Sequence, residues 1–500
     1  MGHQGALMVC GTASDVGKSR LVAGLCRALA RRGTRVSPFK AQNMSLNSAV
    51  TRAGHEIARS QAFQAAAARA EAEVCMGPVL LKPMGEGRSQ LVLMGRPAGD
   101  VNFGASWRPE EVLRATVLPA LRELRQRYDV VVIEGSGGAA EVNLLGSDIA
   151  NLPLAKAAGV PAILVGDIER GGVFASIFGT VTLLPSDLRG QLRGFVINKL
   201  RGYPELLAPG VAELEERLGL PCLGVVPHLG ELAFDEEDSL ALGAGLNQGA
   251  RALDVAVVRL PHISNFTDFD PLALEDDVSV RYVGHPLALG APDLIVLPGS
   301  KATVADLHWL QTSGLEAAVR SAHRGGSALL GVCAGYQMLG TDIFDEVESG
   351  AGHAGGLGYL EVTTSFSPEK TTRWREGKSA TGEKVSGFEI HHGRPEVRGG
   401  ASTWFWLDDG QGPEREGVAG SGAGVWGTSL HGILENDELR SSFLGEVASR
   451  AGKPFSPSGL AFVDARDEMI DRLADAVEEN LDLGAILGFA AEAARNSGQL

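Results

Sequence analysis

An apolar run from Ser327 to Leu330 constrains the fold more than any other stretch, because it ends in Gly331-Val332-Cys333-Ala334-Gly335. A helix-compatible segment follows this glycine-flanked cysteine. The order predicts a buried strand, a sharp turn and a helix, which is the pattern of a nucleophile elbow with a thiol at the turn. Glycines permit the strained turn, and a helix N-terminus favours the thiolate. We therefore interpret Cys333 as a nucleophile rather than as a small buried core residue.

A second apolar stretch ends on a histidine nearly a hundred residues downstream, in Gly427-Thr428-Ser429-Leu430-His431-Gly432. A thiol nucleophile needs a general base, and His431 is the candidate. The turn Pro298-Gly299-Ser300 also follows an apolar strand. It can present a backbone N–H opposite that of Ala334, so Gly299, Ser300 and Ala334 form the predicted oxyanion hole.

The N-terminal region carries a phosphate-loop pattern. The strand Leu7–Cys10 leads into Gly11-Thr12-Ala13-Ser14-Asp15-Val16-Gly17-Lys18-Ser19, and a helix follows to about Arg32. Backbone N–H groups of such a loop hold phosphates, while Lys18 is expected to contact the β/γ oxygens and Ser19 to bind Mg²⁺. The loop is one residue longer than the common form. A second β-rich run ends on Glu134, the predicted second metal ligand or water-holding group.

Further candidate residues lie at predicted strand ends, where ligands gather in open parallel sheets. Asn198 can read an adenine edge or act as a turn residue. The nucleotide-binding candidates are Gly11, Thr12, Asp15, Gly17, Lys18, Ser19, Lys40 and Asn198, and the substrate-binding candidates are Gln42, Asn43, Lys82, Asp167 and Arg170.

Composition limits the class of protein. A net charge of −16 argues against a nucleic-acid partner. The five cysteines form no metal-type or disulfide-type cluster, so we expect a reducing cytoplasm. We expect no membrane span, since no apolar run approaches about 18 residues. The first residues show neither a basic region nor a cleavage site, so we also expect no signal peptide.

The pattern of strands and helices predicts an α/β chain with two doubly wound parallel-sheet domains and a helical C-terminal extension. We place the phosphate-loop domain at 1–235, a linker at 236–252, the thiol domain at 253–440 and the helical segment at 441–500. The polar, glycine-rich stretches 361–385 and 400–422 are expected to be surface excursions. Between them, His391 and His392 are assigned either to loop structure or to a site lining.

Several motifs together carry a family resemblance. Cys333 and His431 resemble class I glutamine amidotransferases of the cobyrinic/cobyric acid synthase type, and the long phosphate loop is similar to the dethiobiotin-synthetase-like group. Residues 38–45, 80–83, 134–137 and 167–174 resemble the cobyric acid synthase family over nearly the whole chain. Many class I enzymes carry a Glu two residues after the His, where this chain has Ile433. We therefore predict a Cys333/His431 dyad, without Glu435 as a third member.

The resemblance implies amidation of the b, d, e and g carboxylates of adenosylcobyrinic acid a,c-diamide, with ATP, Mg²⁺ and glutamine as co-reactants. It implies that Cys333 and His431 release ammonia from glutamine, which then attacks a phosphate-activated carboxylate. One alternative is cobyrinic acid a,c-diamide synthesis, or amidation of another polycarboxylate. A non-enzymatic alternative is a partition-type ATPase switch with an inactive glutaminase-like domain.

Overall fold

The computed structural model describes residues 5–85, 87–102, 106–230, 253–408, 412–420 and 424–496. Contacts divide them into two compact units. The phosphate-loop unit comprises residues 5–45, 57–230 and 466–496, and the thiol unit comprises residues 46–56 and 253–465. The predicted linker at 236–252 lies outside the described residues, and the predicted domain borders stay predictions.

The strands lie at the following positions, in chain order: β1 Gly5–Gly11, β2 Val36–Lys40, β3 Gln42–Met44, β4 Ser48–Val50, β5 Glu56–Ala58, β6 Val79–Gly85, β7 Arg88–Leu93, β8 Arg96–Asn102, β9 Val130–Glu134, β10 Ala162–Asp167, β11 Leu192–Leu200, β12 Cys222–Pro227, β13 Leu253–Val258, β14 Ile263–Ser264, β15 Val278–Val283, β16 Leu294–Leu297, β17 Gly299–Ser300, β18 Ala328–Val332, β19 Asp342–Asp345, β20 Gly352–Gly355, β21 Val362–Ser379, β22 Lys384–Val397, β23 Thr403–Asp408, β24 Pro413–Val418 and β25 Val425–Thr428.

The α-helices are α1 Lys18–Arg31, α2 Arg59–Ala67, α3 Pro109–Val112, α4 Leu118–Arg127, α5 Leu152–Ala157, α6 Val173–Leu183, α7 Ser186–Arg189, α8 Ala208–Leu218, α9 Pro286–Leu289, α10 Thr303–Thr312, α11 Leu315–Arg324, α12 Ala334–Leu339, α13 Asp437–Ala451, α14 Phe462–Asn480 and α15 Leu483–Asn496. Short 3₁₀ turns include Phe266–Leu274 and Ile433–Glu435, and a π-helical turn spans Leu113–Val117. Within the described residues, no helix combines the length and the hydrophobicity that crossing a membrane requires.

The phosphate-loop unit is built on a parallel six-stranded sheet with the order β12-β11-β10-β1-β9-β2. Every residue of the central strand β1 is buried, which is typical of a parallel sheet covered on both faces. The register pairs Lys40 of β2 with Glu134 of β9, so their side chains lie at one edge. A separate four-stranded sheet, β3-β6-β7-β8, completes the unit.

From residue 466 onward, the last two helices belong to the phosphate-loop unit. A Cβ added at Gly5 of β1 would lie 3.1 Å from the Ala490 carbonyl oxygen, and one at Gly24 of α1 would lie 2.7 Å from that of Leu473. These glycines therefore let α15 and α14 approach closely. The buried Arg27 guanidinium is 2.8 Å from the Asp467 carboxylate. The helical C-terminal extension predicted from the sequence is confirmed.

The thiol unit contains an eleven-stranded sheet whose parallel core has the order β15-β13-β16-β18-β25. Val255 and Val257 of β13 join one apolar cluster, and Ala256 and Val258 join another, so both faces are covered. The two doubly wound α/β domains predicted from the sequence are thus confirmed.

The expectation of surface excursions at 361–385 and 400–422 is wrong in the parts that the structure describes. Strands β21 to β24 extend the sheet of the thiol unit by antiparallel pairing. Much of β21 is only partly buried. Antiparallel strands tolerate water on one face, so their polar residues mimic loop composition. His391 and His392 lie buried in β22 and not in a loop.

Candidate active sites

Cys333 occupies the predicted elbow. It lies between β18 and α12 with φ 52° and ψ −109°, a conformation that side chains rarely adopt. A Cβ at Gly335 would lie 1.8 Å from the Leu297 carbonyl oxygen, and one at Gly331 would lie 2.7 Å from the Tyr336 nitrogen. Both positions therefore require glycine. The Cys333 N–H donates to the Thr428 carbonyl at 2.7 Å, which ties the elbow to the strand that leads to His431.

His431 has a carboxylate partner that the sequence reasoning missed. Asp268 Oδ2 lies 2.6 Å from His431 Nδ1, and Asp268 Oδ1 accepts from the Gly432 N–H at 2.9 Å. Both side chains are buried. This bond leaves Nε2 of the ring for the Cys333 sulfur. The prediction of a dyad without a carboxylate is wrong, because Asp268 comes from the turn Phe266–Leu274 and not from the segment after the histidine.

The charges around the ring favour imidazolium. Burial by itself lowers the pKa of His431, but the Asp268 carboxylate and the Cys333 sulfur outweigh it and raise the pKa above its usual value. A protonated ring beside sulfur stabilises the thiolate, which is the reactive form of a cysteine. The geometry is that of a nucleophile, an acid–base group and an orienting carboxylate.

Phe388 is a second residue that the sequence reasoning missed. It exchanges two backbone hydrogen bonds with His431, at 3.1 and 2.9 Å, and its ring stacks on the imidazole with centroids 5.3 Å apart. A Cβ added at Gly299 would lie 3.0 Å from His431 Cε1, so the chain at Gly299 also passes close to the ring. Contacts with Phe388 and proximity to Gly299 therefore restrict the position of the imidazole.

The predicted oxyanion residues lie around this site. Gly299 and Ser300 form β17, which pairs with β14, and Ala334 is the first residue of α12. The Gly335 N–H donates to the Pro298 carbonyl at 3.1 Å, which holds the two turns together. The Ser300 hydroxyl donates to Asp306 Oδ2 at 2.6 Å, so its proton is already used and does not serve an oxyanion. The contribution of the backbone N–H groups stays a prediction.

The phosphate loop joins β1 to α1 as predicted. Asp15 and Gly17 have positive φ values of 58° and 91°, which allow the backbone to turn sharply within the loop. The Lys18 ammonium donates to the carbonyl oxygens of Ala13 and Gly137, both at 2.9 Å. Lys18 is thus held across the mouth of the loop, where phosphate oxygens would bind.

Glu134 is the centre of a buried polar cluster. Its Oε1 accepts from the Ser19 hydroxyl at 2.8 Å and from the Lys40 ammonium at 2.9 Å. Its Oε2 accepts from Gln64 Nε2 at 2.5 Å. A hydroxyl and a carboxylate oxygen beside the phosphate loop are donors that suit Mg²⁺, so the residues fit the predicted metal site. Gln64 was not predicted, since only its contact with Glu134 reveals a role.

Asn198 contacts the phosphate loop through its side chain. Its side-chain amide donates to the Val16 carbonyl at 2.8 Å, and a Cβ at Gly17 would lie 2.3 Å from that nitrogen. The neighbouring Lys199 bonds to the Asp15 carbonyl and, at 2.9 Å, to Asp167 Oδ2. The structure therefore brings Asn198 and Asp167 together at the phosphate loop. Contacts of Asn198 with an adenine stay a prediction.

The predicted substrate residues fall into two groups. Gln42 and Asn43 lie in β3 and Lys82 in the adjacent β6, so these three share the four-stranded sheet. The Asn43 amide donates to Ser60 Oγ at 2.9 Å and to Gln61 Oε1 at 3.1 Å, which gives it an internal role. Asp167 ends β10 of the six-stranded sheet, and the exposed Arg170 follows it. Contacts with a substrate stay a prediction for all five.

Comparison with known proteins matches the two parts of the chain to two different family models. Residues 7–241 match a family model described as a CobQ/CobB/MinD/ParA nucleotide binding domain, and residues 254–439 match one described as a CobB/CobQ-like glutamine amidotransferase domain. The cobyric acid synthase of Frankia casuarinae is 47% identical and aligns over 98% of this chain and 97% of its own. Those of Nocardia farcinica and Citrobacter koseri are 48% and 44% identical, covering 97% and 96% of this chain and 96% and 97% of theirs.

The fold and the two sites thus define a nucleotide-binding enzyme joined to a class I glutamine amidotransferase. The full-length relatives narrow this class further. The chain belongs to the cobyric acid synthase family.

Proposed function

We propose that this chain amidates the b, d, e and g carboxylates of adenosylcobyrinic acid a,c-diamide, using ATP and ammonia released from glutamine. The observation that carries the proposal is the Cys333–His431–Asp268 arrangement on the same chain as a phosphate loop with Lys18, Ser19 and Glu134. Full-length relatives named cobyric acid synthase support the acceptor.

The glutaminase half-reaction follows from the thiol unit. The Cys333 thiolate attacks the side-chain amide carbon of glutamine and forms a tetrahedral oxyanion. The His431 imidazolium then gives its Nε2 proton to the departing nitrogen, and ammonia leaves. Asp268 keeps the remaining ring proton on Nδ1. Water, deprotonated by the now neutral His431, attacks the thioester and releases glutamate and the thiol.

The synthetase half-reaction follows from the phosphate-loop unit. A substrate carboxylate oxygen attacks the γ-phosphorus of ATP, ADP leaves, and an acyl phosphate results. Ammonia then attacks the acyl carbon, so the amide forms and inorganic phosphate departs. Lys18 carries the positive charge for the transferring group. Ser19 and Glu134 would hold Mg²⁺, which neutralises phosphate charge when bound.

Mass spectrometry tests the proposal directly. The chain is incubated with adenosylcobyrinic acid a,c-diamide, glutamine, ATP and Mg²⁺, and the amides added to the corrinoid are counted. Four additions are expected, because the family makes four amides. No amidation of the a,c-diamide, together with conversion of cobyrinic acid, would favour the a,c-diamide synthase alternative. An ATPase that releases no glutamate would favour the switch alternative.

A further inference from the structure

A short stretch of the chain belongs to the thiol unit although its sequence neighbours belong to the phosphate-loop unit. We name residues Leu46–Glu56 the arm. Strand β4 of the arm pairs with β5, and the turn between them is closed by bonds from the Thr51 N–H to the His55 carbonyl and from the Gly54 N–H to the Thr51 carbonyl, at 2.8 and 2.9 Å. The arm thus forms most of a small β-hairpin, whose second strand begins at the last residue of the arm, Glu56.

Buried polar contacts fix the arm on the thiol unit. The Lys370 ammonium lies 2.7 Å from Glu56 Oε2, and both side chains are largely shielded from water. The Ser48 hydroxyl donates to the other oxygen of the same carboxylate at 2.9 Å. A buried ion pair is favourable only in good geometry. This pair therefore favours one position of the arm on the thiol unit.

One contact of the arm leads to Asp268. The Ser48 N–H donates to Asn265 Oδ1 at 2.8 Å in a buried environment. Asn265 has φ 52° and begins the turn Phe266–Leu274, and its carbonyl accepts from the Asp268 N–H at 3.0 Å. The arm therefore steadies the residue that starts the Asp268 turn, and Asp268 bonds to Nδ1 of His431.

A second contact leads to Phe388. Val50 of the arm forms a buried apolar cluster with Phe388 and Ile390, with Trp374 packed against it. Phe388 is the residue whose ring and backbone both hold His431. The arm thus supports the catalytic imidazole by two separate routes, one through a hydrogen bond and one through packing.

The arm is also continuous with the candidate substrate strand. It follows β3, which carries Gln42 and Asn43, after the single residue Ser45, whose N–H donates to the Leu81 carbonyl at 3.1 Å. Because only Ser45 separates β3 from the arm, a shift of β3 is transmitted to the arm through the backbone. A displacement of about 1 Å in a catalytic group is enough to change a rate by roughly a hundredfold.

We propose that the arm is a positioning element for His431. Through the arm, the rate of glutamine hydrolysis depends on the conformation of the strand Gln42–Met44. The inference rests on the proposed function, because it needs a corrinoid acceptor at that strand. In this arrangement, glutamine is hydrolysed fastest when an acceptor carboxylate is present, and ammonia is not released without use.

The test compares glutaminase kcat with and without ATP, Mg²⁺ and the a,c-diamide. Val50→Ala removes the packing route, and Asn265→Gly removes the acceptor while keeping the positive φ. We expect each to lower the stimulated kcat about tenfold, with the KM for glutamine nearly unchanged and the stimulated-to-basal ratio falling towards one. Val50→Ile and Asn265→Asp keep the packing and the acceptor and should restore the ratio.

Arg52→Ala is the matched control on the arm. Arg52 is exposed, pairs with Glu376 at 2.6 Å and lies over the Trp374 ring, but it contacts neither support of His431 in the described structure. The stimulated-to-basal ratio of glutaminase kcat in Arg52→Ala should equal that of the wild type. Synthesis from ammonium salts should stay within about twofold in every variant that is folded. If thermal melts show that Val50→Ala is unfolded, Val50→Thr replaces it, because Thr keeps the side-chain volume but places a hydroxyl in the apolar cluster of Phe388 and Ile390.

Unchanged ratios in both Val50→Ala and Asn265→Gly overturn the inference, as does an equal loss in Arg52→Ala. A loss in ammonia-driven synthesis as large as the loss in glutaminase activity also overturns it, since the arm would then act on general stability. A wild-type chain that hydrolyses no glutamine overturns the proposed function and this inference with it. Normal wild-type hydrolysis with unaffected variants overturns this inference alone.

Discussion

In Asp268→Asn, an amide NH₂ replaces the carboxylate oxygen that faces His431 Nδ1. The amide oxygen can still accept from the Gly432 N–H, which now bonds at 2.9 Å, so the turn keeps its shape. The NH₂ group then donates to Nδ1 across the present 2.6 Å contact. The ring proton must move to Nε2, and a neutral ring in that tautomer cannot accept a proton from the Cys333 thiol.

The size of the loss follows from two removed interactions. The wrong tautomer of a comparable histidine costs about 10⁴-fold in a serine protease. The imidazolium also loses a buried counter-charge, which shifts the pKa of His431 down from its raised value. We expect glutaminase kcat to fall about 10²–10⁴-fold, or about 3–5 kcal/mol of transition-state stabilisation.

The assay is glutamate release across pH, with ammonia-driven amide synthesis as the internal standard. The basic limb of the pH profile should move to lower pH in Asp268→Asn, because the His431 pKa is lowered. Glu435→Gln is the matched control and should stay within a few-fold of the wild type, while His431→Asn should fall as far as Asp268→Asn or further. Glutaminase activity of Asp268→Asn within a few-fold of the wild type would refute the assignment of Asp268.

Three other outcomes follow from the sites. Cys333→Ala should abolish glutamine-dependent amidation and keep synthesis from ammonium salts, and loss of both in a folded variant would contradict the division of labour. Lys18→Ala should abolish synthesis from either nitrogen source while Cys333 still releases glutamate; near-normal synthesis would contradict the phosphate-loop assignment. Burial raises the pKa of Glu416 to about 7, although Thr428 and Ser429 bond to its carboxylate. The stability that its proton contributes is present below pH about 4.5 and is lost as pH rises through 7, so Glu416→Gln should stabilise the fold by up to about 3 kcal/mol at pH 8 and have little effect near pH 4 in denaturant titrations.

The features that the sequence predicts well are local. The Cys333 elbow and the phosphate loop are each written in fewer than fifteen consecutive residues, because a strand, a glycine turn and a helix follow one another directly. Glu134 was found because four β-forming residues precede it. Such motifs need no knowledge of what packs against them, so residue order alone specifies their backbone.

Residues whose role depends on distant contacts were missed. Asp268 is 163 positions from His431 and lies in a turn without helical or strand periodicity. The only signal was the pair Asp268 and Asp270 inside an otherwise apolar segment soon after β13. Phe388 appeared as one aromatic residue in a polar stretch, and Val50 of the arm carried no signal. Their roles arise from tertiary packing, which sequence periodicity does not encode.

The position of α14 and α15 has a consequence for how the chain is made. The phosphate-loop unit combines residues 5–45 and 57–230 with residues 466–496, so strand β1 packs against a helix that is synthesised after the described thiol unit. Domains generally fold as units while the ribosome synthesises them from the N-terminus. The phosphate-loop unit therefore cannot complete its fold until residues 466–496 have also been synthesised. A chain that ends at residue 465 would therefore lack part of the phosphate-loop unit, although it contains every described residue of the thiol unit.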